Sequence, residues 1–145
     1  MAGDMGDVTK KLAAFAGDLK YEDLPAEVIE RTKLLLLDIT GIMVRARHDA
    51  ESTASLIQAV KRLGLAGGSC SVLGDNATYT PPAAALINGT LAHSLDFDDT
   101  HAEGSLHSSA QIVPAALAAA EISSASGRDL ITAIVAGFEI QIRLS

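Results

Sequence analysis

The stretch from His93 to His107 crowds ionisable side chains: His93, Asp96, Asp98, Asp99, His101, Glu103 and His107, with Thr100 among them. Neighbouring carboxylates raise one another's pKa, and burial raises it further. Set beside imidazoles, such groups suit proton transfer near neutral pH. Three readings of the segment stand open on spacing alone. The first is a solvated acidic loop whose carboxylates cap a helix, the commonest role for an Asp-rich turn. The second is a divalent-cation site, since FDDTH is the kind of aspartate cluster that holds magnesium; no second Asp-rich cluster or other diagnostic metal motif accompanies it. The third is a proton-transfer site with Asp96 and His107 titrating and Thr100 donating a hydrogen bond. If the preceding helix persists to Asp96, then His93 and Asp96, three apart, share a face.

The elements that must position this segment are mostly helical. Val8, Leu12, Phe15 and Leu19 recur at helical spacing. Pro25 suits the first position of a second helix through VIERTKLLLLDITGIMV, with Glu27 and Glu30 near its positive end. Four consecutive leucines point all round a helix, which predicts burial on most sides. Asp38 interrupts that run and reads as paired or at an edge rather than catalytic. RARHDAES reads as a polar connection. A third helix uses Ile57, Val60 and Leu63, capped by Ser52 or Thr53 and stopped by glycines from Gly64 onward.

SCSVL, residues 69–73, is the one short strand expected, with GDN as the turn after it. Thr80 caps and Pro81 and Pro82 open the helix that leads into the polar segment. Asn88-Gly89 inside it could signal a hairpin. Its flanks lack alternating β-branched residues, so a helix with a close-packed glycine is expected. DFDDTHAEGSLH is a loop. SSAQIVPAALAAAEI is a helix in which Pro114 sits near the first turns or kinks it. Ser126 with Asp129 forms a capping box for a last helix, LITAIVAGFEIQIRLS. That helix is apolar over much of its circumference, which predicts a further element packed on it and an incomplete domain. The fold class is therefore all-α, with room for one short strand near residues 69–73.

Composition narrows the function. Of the 145 residues, 48% are hydrophobic and only 3% aromatic, so the core must come from Ala, Leu, Ile and Val, as in close-packed helices. The net charge of −7 argues against nucleic acid, which draws on clustered Lys and Arg. Neither occurs between Arg62 and Arg128. A single cysteine, Cys70, rules out disulfides within the chain and Cys-based zinc sites, and reads as a small buried hydrophobe. MAGDMGDVTK lacks the regions of a signal peptide, and no apolar run spans a bilayer, so a cytoplasmic protein is expected.

INGTLAHSLDFDDTHAEGSLHSSAQIVPAALAAAE resembles the signature region of the MmgE/PrpD family, which includes 2-methylcitrate dehydratase and cis-aconitate decarboxylase. The likeness extends to ERTKLLLLDITGIMVRA, VLGDN and GRDLITAIVAGFEIQIRLS, and so covers nearly all of the chain from Leu19. It implies the N-terminal part of a larger helical domain, with a lid domain and C-terminal part outside residues 1–145. It also implies a lyase acting on small di- or tricarboxylates, typically a homodimer working without metal or organic cofactor. By resemblance, Asp96, Thr100 and His107 line the active site, and further catalytic groups, including another histidine and a lysine, lie beyond Ser145. The isolated chain is then expected to be inactive. The family usually has Pro after that histidine, whereas Ser108 follows His107 here; a serine in that place can cap the next helix. The alternative is a non-catalytic helical module that depends on a partner.

Overall fold

A computed structural model describes residues 5–145, with side chains described from Asp7 onward. Among the described residues, six helices and one two-stranded sheet follow one another: α1 (Met5–Asp18), a 3-10 turn (Tyr21–Asp23), α2 (Ala26–Asp49), α3 (Ser52–Arg62), β1 (Ala66–Ser71), β2 (Thr78–Tyr79), α4 (Pro81–His93), α5 (Ser108–Ser123) and α6 (Gly127–Leu144). The mostly helical class is as expected. Among the described residues, no helix is long and apolar enough to cross a membrane.

The packing centre is α4 against α5, with α2, α3 and the sheet on α4 and with α6 on α5. Both helices are alanine-rich, and their small side chains let the backbones approach closely. Ala83, Ala84, Ile87 and Leu91 of α4 and Val113 and Ala118 of α5 are buried beside Ile39 and Met43 of α2 and Ile134 of α6. Each fully buried Ile or Leu contributes about 1.5–3 kcal/mol of transfer free energy. At the crossing, a side chain on Gly89 would place its Cβ 3.1 Å from the Ala110 carbonyl oxygen. That is the carbonyl whose helical partner Pro114 lacks, so Gly89 and Pro114 together shape the α4–α5 contact.

Several local expectations are revised. The strand begins earlier than residues 69–73, because Gly67 and Gly68 belong to β1 instead of ending the region before it. A Cβ on Gly68 would lie 2.2 Å from the Tyr79 carbonyl oxygen, so the glycine permits β2 to pass. α2 runs on through Arg47 and His48, and Pro25 occupies its N-cap position, one residue before the helix. Nothing in RARHD breaks a helix, and the basic residues suit its negative end.

The four leucines are not buried on most sides: Leu34 and Leu37 are exposed, as is Asp38, which sits at the edge foreseen for it. Thr53 is buried and donates to the Ala46 carbonyl, linking α3 to α2 instead of capping its own helix. Thr80 stands at the N-cap of α4, but its side chain makes no capping bond. The Ser126–Asp129 capping box forms as expected, and α1, α2 and α5 pack on the apolar circumference of α6. Cys70 is fully buried, its thiol directed at the Ala118 carbonyl.

A polar clamp ties the sheet to the core. Asn88, 2% exposed, accepts from the Leu73 amide at 2.9 Å and donates to the Ser71 carbonyl at 3.0 Å. Asp75 accepts from the Ala77 amide, the Tyr79 hydroxyl and the Arg47 guanidinium. Burial alone would raise the Asp75 carboxyl, but these three donors outweigh it and hold its pKa below the ordinary carboxylate value. Burial, then the bond to Asp75, pushes the Tyr79 hydroxyl up.

Candidate active site

α4 ends at His93, and the chain then turns before α5 begins at Ser108. The turn is held by backbone pairing of His101 with Leu106, at 2.8 and 3.2 Å, and by the Gly104 amide donating to Nδ1 of His101 at 3.0 Å. This small loop sets His107 directly before α5 and returns it to the end of α4.

The expected pairing of His93 and Asp96 on one helical face does not occur, because the helix stops first. Asp96 adopts a left-handed backbone, φ 55°, which an aspartate tolerates better than most residues. His93 instead meets Asp98: its Nδ1 lies 3.0 and 3.1 Å from the two carboxylate oxygens. Nδ1 of His107 lies 3.2 Å from Oδ2 of the same residue. That nitrogen is buried, and its approach to Asp98 lacks the alignment of a hydrogen bond. The Asp98 side chain is 0% exposed, so one buried carboxylate faces two imidazoles. The rings stand edge to face with centroids 4.7 Å apart.

The three aspartates of DFDD thus part company. Asp98 turns inward to the histidines. Asp99 accepts from the Ser109 amide at 3.2 Å, so it caps α5, and the capping reading of the loop holds for this residue. Asp96 is exposed yet within the group formed with His93, Asp98 and His107, whose nearest ligand atoms all lie within 4.8 Å of one another. Ser108 is of a residue type that can cap α5. It is instead the helix's first residue, buried, with no partner for its hydroxyl among the described residues. Thr100 is exposed and not among the residues lining the cleft described next.

His93 and His107 line an open cleft of about 520 Å³ between α4 and the start of α5, with Leu86, Thr90, Ser105 and Gln111 around them. It contains no Lys or Arg. An apolar groove of about 340 Å³ between α2 and α6, lined by Val28, Leu35, Ile134 and Phe138, shares none of these residues. The His93, Asp96, Asp98 and His107 donors are of a type that could take a divalent cation. Both oxygens of Asp98 already face imidazole nitrogens, however, so a cation there would have to insert between them and part the His93–Asp98 hydrogen bond.

The MmgE/PrpD N-terminal domain profile matches residues 10–145. The chain belongs to the MmgE/PrpD family. It is 38% identical over 143 residues to the cis-aconitate decarboxylase-like protein oryM of Aspergillus oryzae, covering 92% of this chain and 29% of that protein. It is 35% identical to a cis-aconitate decarboxylase of Aspergillus terreus, covering 91% of this chain and 28% of the relative. Identity to the cis-aconitate decarboxylase of Mus musculus is 31%, covering 94% and 28%. This MmgE/PrpD chain therefore spans less than a third of the length of these relatives. Their names point to lyase chemistry for the family.

In the sequence, Asp98 enters only as one of the aspartates of the divalent-cation reading and His93 only as sharing a helical face with Asp96; neither belongs to the expected set of Asp96, Thr100 and His107. The pairing of His93 with Asp98 spans five residues across a helix end, a separation at which no regular element brings side chains together. A histidine in the last turn of a helix, followed by several aspartates, is the only signal the sequence carries for it.

Proposed function

We propose that this chain supplies one wall of the active site of a lyase that decarboxylates or dehydrates a small di- or tricarboxylate, with cis-aconitate as the first substrate to test. The observation that carries the proposal is His107 on the cleft wall, its Nδ1 turned to the buried carboxylate of Asp98. A carboxylate behind a histidine orients the ring, which suits proton transfer.

Loss of CO₂ from an unsaturated tricarboxylate breaks a C–C bond and leaves its electron pair in an allylic system. A remaining carboxylate spreads that charge, and an acid must then deliver a proton to carbon. His107 takes that acid/base role, Asp96 orients a histidine or holds the substrate's proton, and Thr100 gives the substrate a hydrogen bond. Thr100 stands outside the present cleft, so its role requires the loop or the substrate to reach it. Cations to hold the carboxylates are absent from residues 63–127 and come, in this reading, from polypeptide outside the chain, as do the lid and the second subunit of a homodimer. The chain alone is then inactive, and the whole protein acts in the cytoplasm.

The test is His107→Ala in the complete polypeptide, assayed with cis-aconitate and with 2-methylcitrate. Loss of a general acid or base lowers turnover by about 10²- to 10⁴-fold. A loss below about threefold, far short of that range, would remove His107 from the chemistry.

A further inference from the structure

Asp98 has a fully buried side chain, and its carboxylate meets Nδ1 of His93 and Nδ1 of His107 within 3.2 Å. A buried carboxylate is costly unless donors satisfy it, and a neutral imidazole donates only from its protonated nitrogen. The Thr90 and Ser94 hydroxyls do not compete for these rings, since both donate back to carbonyls of their own helix. We propose that Asp98 is a shared positioning residue, holding His93 and His107 alike as the Nδ1–H tautomer. Their Nε2 atoms are thereby left for the cleft that both residues line. His93 is then a second acid/base group of this site, paired with His107 across the same carboxylate.

The geometry explains why the pair shares one carboxylate instead of each ring having its own partner. His93 makes the aligned bond now, to both oxygens, while Nδ1 of His107 waits 3.2 Å from Oδ2 with no aligned partner. A modest rotation of the His107 ring or of Asp98 moves the bond from one imidazole to the other. A ligand entering the cleft and touching either Nε2 therefore biases the orientation of both rings. The assignment of a role in turnover rests on the proposed function; the tautomer assignment does not.

The test uses this chain with ¹⁵N-labelled histidine, whose four imidazoles are resolved by long-range ¹H–¹⁵N correlation and assigned through His93→Gln and His107→Gln. At a pH where the rings are neutral, His93 and His107 are expected as Nδ1–H, unlike exposed His48, which should show the Nε2–H form that a free imidazole favours. Asp98→Asn, whose amide can donate where the carboxylate only accepts, should shift both rings away from Nδ1–H with the helical circular dichroism retained. Nε2–H at His93 and His107 in the unaltered chain overturns the proposal, whether or not the variant folds. So does a folded Asp98→Asn chain with unchanged tautomers.

In the complete enzyme, Asp98→Asn should lower kcat by about 10²-fold or more at little-changed KM, the size expected when acid/base catalysis is disabled. A rise in KM at constant kcat would reassign Asp98 to binding and overturn the positioning role. Nδ1–H tautomers in a complete enzyme inactive on carboxylates would overturn the proposed function and leave Asp98 as the holder of both rings.

Discussion

Replacing Asn88 by Ala should destabilise the chain by more than its single side chain suggests, because two segments lose their anchor at once. The amide accepts from Leu73 and donates to Ser71, at 2.9 and 3.0 Å, from a position 2% exposed. Orphaning a buried donor or acceptor costs about 1–3 kcal/mol each. Leu73 is half-buried and Ser71 exposed, so water recovers part of that, and a total of about 2–3 kcal/mol is appropriate for the pair. Alanine is the better helix former by up to about 0.7 kcal/mol, which lowers the net loss to about 1.5–2.5 kcal/mol. For a chain of this size that corresponds to a fall in Tm of about 4–10 °C. In urea, the midpoint should fall by about 1 M with the slope unchanged, given slopes of about 1–3 kcal/mol/M. Asn88→Asp should be worse still, since it keeps the acceptor, loses the donor to Ser71 and buries a charge. A loss under about 0.5 kcal/mol for Asn88→Ala, the range of surface changes, would show that the clamp does not hold the sheet to α4.

Two further outcomes follow from the same packing. Asp75 has a folded pKa below its unfolded value, so its contribution is present above the unfolded carboxylate pKa of about 3.9 and is lost as pH falls through the folded value. Asp75→Asn should therefore lower the urea midpoint at neutral pH and flatten its decline below about pH 4; an unchanged acid limb would remove Asp75 as its source. Leu37 is 71% exposed beside Leu34, so Leu37→Lys should change stability by no more than about 0.5 kcal/mol in dilute chain. A larger, concentration-dependent loss, read by urea unfolding at several protein concentrations, would show that a second copy covers this stripe.

Periodicity and punctuation made most of the fold legible. The Ser126–Asp129 box and the Pro81–Pro82 start depend on contacts within a few residues, which sequence carries directly. Misreadings arose where a distant partner decides. Gly68 looks like a breaker until Tyr79 is seen lying against it. Thr53 looks like a cap until Ala46 is found within its reach. LLLL predicts burial, but only the elements present can bury it, and they leave Leu34 and Leu37 outside. At the site, crowding was legible and partnership was not: Asp99 takes the capping role and Asp98 the histidines, although the two are adjacent.

Phe97 and Asp98 invert the usual assignment of side chains. Phe97 is 67% exposed and Asp98 is 7% exposed as a residue, with none of its side chain in solvent. Hydropathy would place them the other way round, with the ring inside and the acid in water. Burying the phenylalanine would add apolar stabilisation of about 1.5–3 kcal/mol, whereas burying the carboxylate costs free energy that its imidazole partners offset. A one-residue shift of the loop would exchange the two and give up the contact with both histidines. A local choice that lowers stability while completing a polar constellation is the pattern expected of a functional site rather than of a solvated turn. That argument is independent of family membership, and it singles out Asp98 among the carboxylates of the loop.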